Sequence, residues 1–249
     1  MSNFNIFSLG NGISTGQGTV TDQSDTKDDI FWKKTIYHHP NNLYRSYADY
    51  IAQRIDATVF YIGNSKMNAT KVSNMFENNY NLIKKSFSNN INLHLINLSR
   101  GYMEDYKSVL KSATDEIRNT EDIDDIQKYE KFRIKFYDDT HEVHEKLRVE
   151  RESVTALFAK ANELADYNNR VVIIVPDMET LRYNSETVNI FKHDTLNNPW
   201  VSFIDKDIKG MLEFEEYQKI KDTITYDQQQ KLGEFIYNRL TRDTKLLTI

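Results

Sequence analysis

The sequence contains no cysteine. Disulfide bonds, thiolate metal ligands and cysteine nucleophiles are therefore excluded, because each of them needs a sulfhydryl group. Glycine and proline are scarce as well, at eight and three residues in a chain of 249, and four of the glycines lie within the first eighteen positions. An all-β sandwich needs turn residues roughly every 8–12 positions, so most of this chain has too few of them for that class of fold.

The chain also lacks long apolar runs and a surplus of basic charge. No apolar run approaches the roughly 20 residues that span a bilayer, and the N-terminus lacks the basic and apolar regions of a secretory signal. The net charge is −5, whereas proteins that bind nucleic acids in general carry basic stripes that contact phosphates. We therefore expect a cytoplasmic protein that binds neither membranes nor nucleic acids in general.

Apolar runs of strand length alternate along the chain with segments whose apolar residues recur at helical spacing. The clearest runs are 57–62, 91–98 and 171–175, and continuous runs of this kind are typical of strands buried on both faces. Alternation of strands and helices predicts an α/β fold with a mostly parallel, doubly wound, Rossmann-like sheet in three layers. Weaker strand candidates are 133–137, 188–192 and 201–204.

The first thirty residues differ in composition from the rest. They are rich in Ser, Thr, Gly, Asn and Asp, and residues 9–29 have too little apolar surface to offset the entropy of ordering. We predict a flexible N-terminal arm over 1–30 and a single α/β domain over 31–249, with a possible acidic insertion at 115–130. The arm is either a disordered tail or a segment that orders on a partner.

A tyrosine-rich helix and the apolar tip of the arm are candidate contact surfaces. Tyrosine is favoured at interfaces because it combines a large apolar body with a polar tip, although the same residues also suit the edge of a core. This pattern favours a non-catalytic subunit of a larger assembly, whose partner is another protein or a second copy. The proposed interface residues are Phe4, Phe7, Tyr44, Tyr47 and Tyr50.

The segment after the 57–62 run is the first candidate site, because ligands of open α/β sheets bind at the carboxyl ends of the strands. Neither a G-x-G-x-x-G motif nor a P-loop is present there. Ser65 and Asn68 are candidate catalytic residues facing a ligand at a helix N-terminus, with Gly63 and Lys66 as candidate ligand-binding residues. The structural alternative is that Ser65, Asn68 or Thr70 caps the next helix.

The G-x-S-x-x-N spacing of Gly63, Ser65 and Asn68 is similar to the loop that carries the nucleophilic serine in cyclodipeptide synthases. The resemblance implies a Rossmann-like fold, a substrate of aminoacyl-tRNA and a nucleophilic Ser65. It covers six residues and the strand–helix–strand layout. The chain has no match to that family's downstream tyrosine–glutamate pair or to its basic tRNA-binding helix.

A second candidate site follows the 133–137 run, where histidines and carboxylates are concentrated. Imidazole and carboxylate are ligands for Zn²⁺, Mn²⁺ or Fe²⁺, so His141, His144 and Asp139 are candidate metal ligands. Asp138 and Asp139 are also candidate catalytic residues. The histidines lack H-E-x-x-H spacing, and the acids would equally favour the start of a long helix.

Acidic residues that follow the 171–175 run form the third candidate site. Asp177 is a candidate catalytic residue and Glu179 a candidate ligand-binding residue, since a carboxylate beyond a buried strand often acts as a general base; Asp177 also suits a helix N-cap. The alternative to an assembly subunit is therefore an enzyme working at the strand ends by metal-assisted, acyl-transfer or nucleotidyl-transfer chemistry. The sequence identifies no cofactor.

Overall fold

A computed structural model describes residues 4–10, 14, 46–63, 68–98, 126–175, 198–204 and 226–248, without the side chains of 126–140, 142, 143, 147, 226 and 243. These residues form five strands and four helices, which we number in chain order. The strands are β1 (Phe4–Gly10), β2 (Thr58–Gly63), β3 (Ile91–Asn97), β4 (Asn169–Ile174) and β5 (Val201–Ile204), and the helices are α1 (Tyr47–Ile55), α2 (Ala69–Ser86), α3 (Ile126–Leu164) and α4 (Tyr226–Asp243).

The five strands form one sheet in the order β2-β1-β3-β4-β5. Every pairing is parallel, with Ile6 opposite Val59 on one side and Leu93 on the other. The chain moves from β1 to β2 on one side and then returns past β1 to β3, so the direction of strand addition reverses at β1. The predicted parallel, doubly wound sheet is confirmed.

Helices cover both faces of this sheet, which gives three layers. On one face, α1 and α4 pack over Ile6, Leu93 and Leu95. On the other face, α2 and α3 pack over Leu9 and Ile96. Since strand residues alternate between the faces, the predicted continuous apolar runs supply both cores at once. Among the described helices, none is long and apolar enough to cross a membrane.

The prediction of an arm outside the core is wrong for residues 4–10, because they form β1 in the middle of the sheet. β1 pairs with β2 and β3, so its backbone groups bond on both sides. Phe4 and Phe7 are only 2% and 3% exposed, and they are therefore core residues rather than anchors for a partner. Residues 11–13 and 15–30 of the predicted arm lie outside the described residues.

The strand predicted at 133–137 is also wrong, because these residues belong to the 39-residue helix α3. Five residues that alternate in polarity fit a strand, but their surroundings are rich in Glu, Lys and Arg, which favour helix. The predicted strand at 201–204 is confirmed as β5. The strand predicted at 188–192 and most of the acidic stretch at 115–130 lie outside the described residues.

Candidate functional site

The reversal of strand order at β1 makes the carboxyl ends of β1 and β3 the topological switch point of the sheet. In doubly wound sheets, ligands bind outside the carboxyl ends of the strands at such a switch point, and for the order found here that point lies between β1 and β3. β1 ends at Gly10 and β3 at Asn97. The residues around these two positions therefore define the candidate site.

Gly10 marks a close approach of three backbone segments. Its φ is +154°, a value that residues with a side chain rarely adopt. A Cβ atom at this position would lie 2.4 Å from Ser14 Oγ and 2.9 Å from the backbone oxygen of Asn97. Only glycine therefore allows the chain to leave β1 this close to the end of β3.

The side chain of Asn97 is buried at this edge, close enough to the Tyr47 hydroxyl to help lower the pKa of that tyrosine. Asn97 is 1% exposed, and neither its amide oxygen nor its amide nitrogen finds a hydrogen-bond partner among the described residues. Leaving a buried polar group unsatisfied costs roughly 1–3 kcal/mol, so native proteins retain few such groups. A ligand could supply the missing hydrogen bonds, so the unpaired Asn97 amide is the feature of this edge that indicates ligand binding.

Three hydroxyl groups lie on the same face of the sheet. Ser8 Oγ donates to the backbone oxygen of Ser14 over 2.9 Å, and the Tyr47 hydroxyl lies 3.4 Å from Ser14 Oγ. Burial raises the pKa of Tyr47, partly offset by the polar side chains of Ser14, Ser8 and Asn97. Tyr47 is therefore a neutral phenol at physiological pH and is able to donate a hydrogen bond.

A carboxylate network adjoins these hydroxyls. Asp49 accepts hydrogen bonds from the backbone N–H of Ser46 over 2.8 Å and from its hydroxyl over 2.9 Å, and the Tyr61 hydroxyl lies 3.1 Å from Ser46 Oγ. Tyr61 is paired with Ser8 in the sheet register. Burial raises the pKa of Asp49, while hydrogen bonds from Tyr61 and Ser46 oppose that shift. Ser46 and Asp49 form a capping box at the start of α1, which accounts for their arrangement without catalysis.

The segment predicted as the first site lies at the end of β2, on the edge strand. Gly63 is the last residue of β2. The Asn68 side chain accepts a hydrogen bond from the Lys71 N–H over 3.0 Å and is the N-cap of α2, which confirms the capping interpretation. Ser65 and Lys66 lie outside the described residues, so the catalytic hypothesis and the resemblance to cyclodipeptide synthases remain predictions.

The predicted metal cluster does not follow a strand, which removes the positional argument for it. Asp138, Asp139, His141 and His144 all lie within α3. His141 and His144 are exposed one turn apart on this helix. In the parts of the chain where side chains are described, no three His, Asp or Glu residues are placed to hold a metal ion. The side chains of Asp138 and Asp139 are not described, so this finding does not cover them.

The predicted tyrosine interface is wrong for the two tyrosines that the structure describes. Tyr47 is fully buried and Tyr50 is 8% exposed. Both are covered by α4 of the same chain, so neither is available to a partner. Tyr44, Asp177 and Glu179 lie outside the described residues.

Sequence reasoning missed Ser8, Gly10, Ser14 and Asn97 as site residues, although one signal was present. Gly10, Gly12 and Gly16 follow the apolar residues of β1 directly, and glycine-rich turns after the first strand are typical of phosphate-binding α/β folds. The first continuous apolar run of the sequence, 57–62, belongs to the second strand of the sheet and not to the first. The prediction of a flexible arm over 1–30 assigns these glycines to a flexible segment instead of to the end of a strand.

Comparison with protein-family models, with curated proteins and with solved structures gives no match to this chain. The switch point between β1 and β3 is therefore the basis on which we infer its function. The region around this switch point contains Ser8, Gly10, Ser14, Tyr47 and Asn97, and we call this region the β1/β3 crevice.

Proposed function

We propose that this protein binds a nucleotide or a similar polar small molecule in the β1/β3 crevice. The observation that carries the proposal is the buried, unpaired amide of Asn97 beside the close approach at Gly10. A ligand that paired with this amide would recover the free energy that the unliganded fold loses by burying it. The location agrees with the rule for ligands of doubly wound sheets.

The lining of the β1/β3 crevice favours an uncharged part of the ligand next to Asn97. The Asn97 amide offers both donor and acceptor atoms, and hydroxyl groups act in either direction. Sugar hydroxyls, a carboxamide or the edge of a base satisfy such a set. Burial raises the pKa of Tyr47, which keeps this side of the crevice neutral. The sequence after β1 is rich in glycine, a composition typical of phosphate-binding segments, which supports a phosphate elsewhere in the ligand.

The test is calorimetric titration of the wild-type protein and of Asn97→Leu with NAD, FMN and ATP. Leucine keeps the branched shape of asparagine but has no polar atoms to leave unpaired. We expect the free energy of unfolding to rise by about 1 kcal/mol, while affinity for the bound nucleotide falls at least about tenfold, or ~1.4 kcal/mol. A purely structural asparagine would lower stability and binding together, and no binding of any probe to the wild type would refute the proposal.

The assembly-subunit hypothesis loses part of its support, while Tyr44 and residues 15–30 lie outside the described residues. Phe4, Phe7, Tyr47 and Tyr50 are buried within the chain, so they are unavailable for contacts with a partner. The alternative hypothesis, an enzyme at the strand carboxyl ends, shares its location with the present proposal. Ligand binding at the β1/β3 crevice is the part of that hypothesis that the described residues support.

A further inference from the structure

Gln229 on α4 contacts the first residue of α1 from behind the β1/β3 crevice. Its side-chain oxygen accepts a hydrogen bond from the Tyr47 backbone N–H over 2.8 Å, and both residues are fully buried. The first N–H groups of a helix have no partner within the helix. Gln229 therefore supplies a partner that α1 cannot provide for itself.

The position of Gln229 is fixed because α4 packs on α1 at backbone distance. A Cβ atom on Gly233 would lie 2.6 Å from Tyr50 Cβ and 3.0 Å from the backbone oxygen of Tyr47. Gly233 lies one helical turn after Gln229, on the same face of α4. Only glycine permits this approach, and the approach brings Gln229 to the start of α1.

The far end of the C-terminal segment is held independently. The Arg170 side chain is fully buried and donates to the backbone oxygens of Leu246 over 2.8 Å and Thr248 over 2.6 Å. Arg170 lies near the amino end of β4, so the segment that follows α4 is anchored to the sheet, while α4 itself packs on α1. Contacts to α1 and contacts to the sheet therefore both oppose movement of α4 and, with it, of Gln229.

We infer that Gln229 is a positioning residue for the β1/β3 crevice, which holds Tyr47 so that its hydroxyl meets Ser14 at the end of β1. The inference rests on the proposed function, because it assigns Gln229 a role in ligand affinity beyond its role in folding. The connection runs from the Gln229 side chain to the Tyr47 backbone, and from the Tyr47 hydroxyl over 3.4 Å to Ser14 Oγ. The C-terminal helix thereby determines the geometry of a site whose polar lining lies on other elements.

The experiment compares Gln229→Met with Gln230→Met on the neighbouring residue, which is only partly buried. Methionine matches the length of glutamine but cannot accept the Tyr47 hydrogen bond. We expect Gln229→Met to weaken binding of whichever of NAD, FMN or ATP binds the wild type by about tenfold, and Gln230→Met to change it less than about twofold. Equal affinity of Gln229→Met and the wild type would overturn the inference and leave the proposed function intact.

A second readout separates failure of the inference from failure of the proposed function. In ¹H–¹⁵N spectra without ligand, we expect Gln229→Met to shift the side-chain NH₂ signals of Asn97, and Gln230→Met to leave them in place. Unshifted Asn97 signals would overturn the inference even if no nucleotide binds. If Gln229→Met does not fold, amide exchange in the wild type decides: ligand binding is expected to slow exchange at 226–233, and unchanged exchange there would count against the inference.

Discussion

The two faces of the sheet bury different kinds of side chain. On the face covered by α1 and α4, hydroxyl, amide and carboxyl groups meet at the carboxyl edge around Tyr47 and Asn97. On the face covered by α2 and α3, rings cluster instead: Phe7 stacks on Phe60 with centroids 5.0 Å apart, and Phe76 and Tyr80 pack at 5.5 Å. We infer that the first face carries the site and the second mainly carries stability.

His94 is the titratable group at the centre of the aromatic face. Its ring lies 5.5 Å from Phe7, 5.4 Å from Tyr80 and 5.9 Å from Phe76, and its Nε2 has no partner among the described residues. A cavity of about 10 Å³ beside it has room for no more than one water molecule. Burial lowers the pKa of His94 from 6.5 to about 4, against a smaller opposing effect of Asp166.

The largest expected effect is a loss of stability in acid that depends on His94. Between pH 6.5 and 4 the unfolded chain binds a proton at this residue and the folded chain does not, so the free energy of unfolding falls as the pH falls. The difference in pKa corresponds to about 3 kcal/mol at the acid end of this window. Urea unfolding at pH 7.5 and pH 4.5 measures it.

The variant His94→Phe isolates this contribution from the carboxyl groups that titrate in the same range. We expect the wild type to lose about 2–3 kcal/mol more stability than His94→Phe between the two pH values. Parallel losses in the two proteins would mean that His94 is accessible to protons in the folded state. The aromatic face would then be less tightly closed than its ring contacts indicate.

A substitution within the aromatic face tests whether stability and binding separate. Phe76→Leu removes ring contacts to Tyr80 and His94, and we expect a loss of about 1–2 kcal/mol in the free energy of unfolding. Nucleotide affinity should stay within about twofold of the wild type, because Phe76 lies on the face opposite the β1/β3 crevice. A large loss of affinity in a folded Phe76→Leu protein would show that the two faces are coupled.

The correct predictions concern features that a local sequence pattern records. The wrong ones concern features that depend on contacts between segments far apart in the sequence. β4 was predictable because its apolar residues from Val171 to Ile174 are continuous, as burial on both faces requires. β3 was predictable from its apolar residues, although Asn92 and His94 interrupt them. β1 was missed because a glycine-rich segment follows its apolar residues directly, and such a composition is typical of a flexible segment. Its central place in the sheet comes from pairing with β2 and β3, which no local pattern records.

The edge of the sheet that carries the candidate site was predictable, but the residues that form the site were not. The rule that ligands bind at strand carboxyl ends led to Gly63, the last residue of the edge strand β2, and to Asn68 beyond it. The β1/β3 crevice instead depends on Gly10 and Asn97, which are 87 positions apart in sequence and meet only through the parallel register of β1 and β3. Nothing in the sequence around Asn97 distinguishes an unpaired amide from a solvated one.

The smallest expected effect on stability lies on the polar face, where Tyr47→Phe removes one hydroxyl group. Its contact to Ser14 Oγ is long, at 3.4 Å, so the free energy of unfolding should fall by less than about 1 kcal/mol. Affinity for the bound nucleotide should fall about three- to tenfold, or ~0.7–1.4 kcal/mol, because the neutral phenol is one of the donors at the crevice. This is the reverse of the pattern expected for Phe76→Leu. If Tyr47→Phe instead lost stability and kept its affinity, Tyr47 would belong to the core alone, and the polar face would differ from the aromatic one in composition but not in role.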